Sequence, residues 1–141
     1  MAMVKENPNI QGNIWWSGLG FARSHELADS LRLNYQKYPA LMPVYENIDT
    51  IPPKPVNELK YKRGVISWTT EEENDPMQKH FLYCIYVFGK NETINIDDAS
   101  KILAIVKDKS YASRGLRGVK VVVTSLDRLQ NESFPRSITI R

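Results

Sequence analysis

Two hydrophobic periods run along this chain, and they change near residue 53. In SHELADSLRLNYQKY (24–38), Leu27, Leu31, Tyr35 and Tyr38 recur at steps of four, four and three, on one face of a helix. Ser24 stands where an N-cap belongs. Tyr38 precedes Pro39, which stops a helix. A helix of about fifteen residues is marginal alone. Residues 1–53 hold little apolar surface for its stripe to cover, so the segment reads as a piece of something larger.

Five of the eight prolines fall between Pro39 and Pro55. That spacing prevents a helix and favours an extended, stiff path, so residues 39–53 read as a connector. Beyond it the period becomes two. VNELKYKRG gives a weak first strand. GVISWT alternates Val65, Ser67 and Thr69 with Ile66 and Trp68. HFLYCIYVFG alternates Phe81, Tyr83, Ile85 and Val87 with Leu82, Cys84, Tyr86 and Phe88. Both of its faces are apolar, which predicts a central strand covered on both sides. KILAIVK, VKVVVTSL and SITIR follow, with Asp97 or Asp98 able to cap a helical turn before Ile102. Six or seven short strands bounded by Gly, Asn, Asp and Pro predict an all-β antiparallel sandwich.

Composition narrows the class. The 141 residues are 42% hydrophobic and 25% charged, as in an ordinary folded domain with a modest core. The net charge of +3 is uneven: residues 54–141 carry fifteen Lys/Arg against eleven Asp/Glu, residues 1–53 four against five. Nucleic-acid binding wants a concentrated basic face. Here bases and acids are interspersed, so a solvated surface is the expectation and nucleic acid is not an expected partner. Cys84 is the one cysteine, which excludes an intrachain disulfide and a thiolate metal cage. No apolar run reaches the ~20 residues of a membrane span. MAMVKENPN has no signal-peptide apolar core and reads as an artificial start or as the middle of a longer chain.

Candidate chemistry is sparse. VVVTSLDRLQNES (121–133) packs Asp127, Arg128, Asn131, Glu132 and Ser133 into one stretch. Asp127 and Asn131 stand where a strand leaves its sheet, and their short side chains can bond turn amides. Punctuation between two strands is the reading. Glu71, Glu72, Glu73 and Asp75 form an acidic run, but neighbours in a turn do not face each other across a glycosidic bond. The run also lacks EF-hand spacing, so a solvated loop is expected rather than a weak Ca²⁺ site. His25 and His80 have no partner at metal spacing. Ser17 and Ser67 lack a nucleophile elbow. RGLRG (114–118) is basic and glycine-rich, yet it precedes a strand, whereas phosphate loops precede a helix; a hairpin turn is expected. NET (91–93) and NES (131–133) fit the glycosylation sequon. Tyr86 and Phe88 share a strand face and could present rings to a glycan, although sandwich cores need such rings too. No catalytic residue, metal ligand or cofactor is expected in this stretch.

The order of residues carries a resemblance. PPKPVNEL, GVISW, a long aromatic strand and VVVTSLDRLQNES together resemble a fibronectin type III domain over residues 54–141. Trp68 matches the family's core tryptophan. Val123, Asp127, Asn131 and Ser133 match its Tyr-x-Val-x-Ala-x-Asp-x-x-Gly-Asn-x-Ser motif. Two positions depart from it. Val121 replaces the tyrosine, so the tyrosine-corner hydrogen bond is missing or replaced. Gln130 replaces the turn glycine, where a positive φ is strained. NIQGNIWWSG and LADSLRLNYQKYPALMPVYENIDTIPPKPV, running into that module, resemble the C-terminal end of the glycosyl-hydrolase-like family ten, a former domain of unknown function found in Bacteroidetes envelope lipoproteins. The resemblance implies that residues 1–38 are the strand-and-helix remnant of a (β/α)₈ barrel. It implies that Trp15 or Trp16 can stack on a sugar in the intact enzyme, whose own catalytic barrel would be this module's partner. It also implies a periplasmic, outer-membrane-anchored or extracellular location. The function expected is a non-catalytic accessory module of a glycoside hydrolase. A carbohydrate-binding module with an exposed aromatic face and a protein–protein adhesion module are its rivals.

Overall fold

A computed structural model describes residues 19–141. The chain divides between Tyr38 and Pro39 into two units. In the first, α1 (Leu19–Arg23) and α2 (His25–Ser30) are separated by Ser24, whose backbone is extended. The Ser24 hydroxyl accepts the Leu27 N–H at 3.3 Å, the N-cap bond its position predicts. From Leu31 to Tyr35 the helix widens into a π turn, closed by the Gln36 N–H on the Leu31 carbonyl at 2.8 Å. The expected helix thus stops at Tyr35, short of Pro39. Along its stripe Leu31 is buried, while Leu27 and Tyr38 stay exposed. NIQGNIWWSG (9–18) lies outside the described residues.

The second unit holds seven strands: β1 (Asn57–Lys62), β2 (Val65–Thr69), β3 (Leu82–Gly89), β4 (Ile102–Val106), β5 (Ser110–Ala112), β6 (Val119–Leu126) and β7 (Arg136–Ile140). They form two antiparallel sheets, ordered β1-β2-β5 and β4-β3-β6-β7. Ile66 and Trp68 of the first sheet meet Tyr83, Ile85, Val121, Val123 and Ile140 of the second in one buried cluster. Two antiparallel sheets with a shared core are consistent with a β-sandwich. Trp68 lies in that core, edge-on to Tyr83 with ring centroids 5.2 Å apart.

Alternation works as the sequence predicts. β3 is central, between β4 and β6. Its odd residues, Tyr83 and Ile85, face the shared core. Its even residues, Cys84, Tyr86 and Phe88, form a second cluster with Val122 and Leu126 on the other face. Leu41 from the proline-rich segment and Ile94 and Ile96 from the β3–β4 loop pack over that second cluster. A sheet covered on both faces needs apolar residues at every position, and β3 has them. Burying rings such as Tyr86 and Phe88 stabilises by about 1.5–3 kcal/mol each.

Three details depart from or refine the expectation. Both a helical turn and a strand occur near Ile102: Asp98 accepts the Ser100 N–H at 2.9 Å and caps a 3₁₀ turn, Ala99–Lys101, that feeds β4. β5 is three residues long, too short to show a period. RGLRG is not a hairpin, because β5 and β6 belong to different sheets. It is a loop that carries the chain from one sheet to the other.

Candidate functional site

The β6–β7 turn turns its polar groups inward. Asp127 is fully buried, and its carboxylate accepts three hydrogen bonds: Leu129 N–H at 2.7 Å, Asn131 N–H at 2.9 Å and Asn131 Nδ2 at 2.8 Å. Ser133 Oγ accepts the Ser125 N–H at 2.9 Å, and the Ser133 N–H returns to the Ser125 carbonyl at 2.9 Å. Gln130 has φ of +69°, the left-handed backbone expected where a glycine is preferred. A buried carboxylate is tolerated because each bond stabilises its charge. Asp127, Asn131 and Ser133 are therefore occupied in holding the turn.

Beside the turn lies a polar strip that the sequence did not reveal. Tyr86 Oη donates to Glu132 Oε1 at 2.7 Å, and Thr124 Oγ1 donates to the same oxygen at 2.5 Å. Glu132 sits on the loop bridged to Leu126, so a tyrosine of β3, a threonine of β6 and the loop are tied together. Val121 is in the shared core, and the hydroxyl of Tyr86 links a tyrosine side chain to this turn. Burial pushes the Glu132 carboxyl above its usual value; the bonds from Thr124 and Tyr86 oppose this, and the Asp97 charge adds to it. Burial also pushes the Cys84 thiol up to about 12, with the neighbouring Glu132 charge adding to the shift and hydrogen bonds, chiefly from Tyr86, opposing it. It is a poor nucleophile at neutral pH, because the thiolate is the reactive form. Glu132, Asp97 and Gln130 line a cleft of about 310 Å³ with Leu41, Met42 and Ile102.

The proline-rich segment is bonded to this side of the sheets. The Tyr45 N–H reaches the Leu129 carbonyl at 3.2 Å. Asp49 accepts Gln78 Nε2 at 2.6 Å through its carboxylate and Asn131 Nδ2 at 3.2 Å through its carbonyl. Ser125 Oγ donates to the Lys54 carbonyl at 2.8 Å. Asn131 thus serves the turn and the connector with one amide. The same segment also exposes Met42, Val44, Tyr45, Ile48 and Ile51, with Glu46, Asn47 and Thr50 exposed among them.

The other sequence candidates are placed as follows. Tyr86 and Phe88 do not form an exposed glycan face; they are 0% and 1% exposed, stacked with centroids 6.3 Å apart. Leu41 and the β3–β4 loop cover them, which corrects that expectation. The acidic run is largely a partner for Lys54. Glu73 accepts the Lys54 N–H at 2.7 Å, and the Lys54 ammonium lies 3.6 Å from Glu71 and 3.7 Å from Glu73. Asp75 caps its own turn by accepting the Met77 N–H at 2.8 Å. Among the described residues no three His, Cys, Asp or Glu come together as a metal site requires. His80 Nε2 donates to the Glu71 carbonyl at 3.1 Å, and Nδ1 is buried without a hydrogen-bond partner among the described residues. His25 is exposed in the first turn of α2. Trp15 and Trp16 lie outside the described residues. Among the described residues no helix is long and apolar enough to cross a membrane. Neither a protein-family model nor a curated protein matches the chain.

Proposed function

We propose that residues 54–141 are a fibronectin type III-like, non-catalytic accessory module of a glycoside hydrolase at the bacterial cell envelope. Residues 1–38 would be the last strand and helix of its barrel, and residues 39–53 the connector. The module's task is mechanical: it buttresses the barrel or spaces it from the envelope. The observation that carries this reading is the connector itself. It is bonded to the β6–β7 turn, and it also exposes five large apolar side chains. Isolated exposed apolar residues are common, but five within ten residues of one segment are a candidate interaction face. A stiff strap bonded to the sandwich and carrying exposed apolar side chains suits a mechanical role.

Two measurements test this. The Tyr45 and Lys54 amides should resist hydrogen exchange as strongly as the edge strands do, because both are bonded across the seam. Exchange at free-chain rates would leave the strap without a hold. Incubation of the 141-residue protein with aryl glycosides should show no turnover, and turnover of any of them overturns the non-catalytic reading.

A further inference from the structure

Where the two sheets' edges meet, an open groove of about 870 Å³ is lined by Arg63, Arg114, Arg117 and Arg141, with no acidic residue among its walls. These arginines come from three separate places in the chain. Arg63 is in the two-residue turn of the β1–β2 hairpin, where it and Gly64 have φ of +52° and +80°. That is a type I′ geometry, which favours Asn-Gly; here an arginine occupies the asparagine's place. Arg114 and Arg117 are on the RGLRG loop, which crosses between the sheets with Gly115 and Gly118 at positive φ. Gly64 lets the two segments meet: a Cβ there would come 3.0 Å from Arg114 Cγ, and the Ser113 N–H reaches the Gly64 carbonyl at 2.8 Å.

Arg63, Arg114 and Arg117 take part in no ion pair among the described residues. Like charges gathered in one groove repel, and an anion relieves that repulsion. The guanidinium fork fits a carboxylate through two parallel bonds, which an ammonium does not. Between the arginines the floor is Leu59, Tyr61, Leu116 and Ile138, largely aliphatic. Tyr61 is held by its hydroxyl on the Ser113 carbonyl at 3.0 Å.

We infer that this groove binds an acidic polysaccharide, a chain of uronate sugars whose carboxylates pair with the arginines and whose C–H faces lie on the aliphatic floor. The inference stands on the groove and goes beyond the mechanical role of the strap, which is on other segments. The groove is open, which suits a chain more than an enclosed small molecule. Single-stranded nucleic acid needs several stacking rings, and the floor has one. An acidic peptide added as a strand would need a free edge to pair with. β1 and β7 already approach to Cα separations within 8 Å, and a strand inserted between them needs about 9.6 Å, twice the strand spacing.

Affinity electrophoresis through gels containing polygalacturonate, dextran, dextran sulfate, polyglutamate or oligothymidylate tests it. Retardation by polygalacturonate and not by neutral dextran is expected. Arg114→Ala with Arg117→Ala should weaken it at least about tenfold, and Arg114→Lys with Arg117→Lys should weaken it about threefold, because charge remains but the fork is lost. Urea unfolding confirms that each variant is folded. No retardation by polygalacturonate, equal or stronger binding of dextran sulfate, polyglutamate or oligothymidylate, or an unchanged double alanine variant overturns the inference. So does a lysine variant that binds as tightly as the parent. Turnover of a glycoside bears on the non-catalytic role and leaves the groove as it was, so the two readings fail separately.

Discussion

Two loops flank β6, and they treat charge in opposite ways. The loop after it, Asp127–Ser133, buries its carboxylate, amide and hydroxyl and satisfies them within a few residues. The loop before it, RGLRG, leaves Arg114 and Arg117 exposed and without an ion pair among the described residues. In the sequence the first gathers more polar side chains than the second, and both read as turns. In the structure the polar groups of the first are consumed by folding, while those of the second remain available to a ligand. Polar residues announce function only when their bonding capacity is left over.

The comparison breaks most clearly at Asp127. Asp127→Ala removes the acceptor for three bonds and strands buried N–H groups, so a loss of about 3 kcal/mol is expected in urea unfolding. For a domain this size that is a large part of the total stability. A change under about 1 kcal/mol would mean that water replaces the carboxylate and that the turn is not what holds the two strands. Next is Tyr86→Phe, which leaves Glu132 with Thr124 alone and should cost about 1–2 kcal/mol.

Glu132→Gln acts through pH. Burial raises the proton affinity of the native Glu132 carboxyl above that of an ordinary glutamate, so the native state binds its proton more tightly than the unfolded chain does. That contribution to stability is fully present below about pH 4.5 and is lost as pH rises through the native value. Gln keeps an acceptor for both hydroxyls and carries no charge. The variant's urea midpoint should therefore gain on the parent's as pH rises from 4 to 7, and a constant difference would remove Glu132 as the cause. At the RGLRG end the effects are smaller. Arg63→Asn should stabilise by up to about 1 kcal/mol, because asparagine tolerates the left-handed backbone. Arg114→Ala with Arg117→Ala should change stability by no more than about 0.5 kcal/mol, since exposed side chains away from special features rarely matter more. A larger loss would show that the arginines serve the fold, as Asp127 does.

Much of this was legible along the chain. Period two placed Tyr83 and Ile85 on one face of β3 and Cys84, Tyr86 and Phe88 on the other, because side chains alternate strictly in a strand. Apolar residues on both faces predicted that β3 is central. The motif around Asp127 predicted a turn, because Asp and Asn bond locally. Ser24 as an N-cap and Gln130 at positive φ were equally local matters. β5 escaped notice because three residues carry no period. The helix ended early because the cost of its last turn depends on what packs beside it, and propensity alone does not measure that.

Tertiary structure alone decided three things. It covered Tyr86 and Phe88 with Leu41 and the β3–β4 loop, since a periodic strand specifies two faces and not what lies over each. It joined Glu132 to Tyr86, 46 residues away in the chain, where burial raises its affinity for a proton. And it gathered Arg63, Arg114 and Arg117 into one groove. Charge along a chain is read as a list, whereas a potential is a sum over space. Arginines scattered among acids in sequence concentrate when a hairpin turn and an inter-sheet loop, both freed by glycine, are packed together.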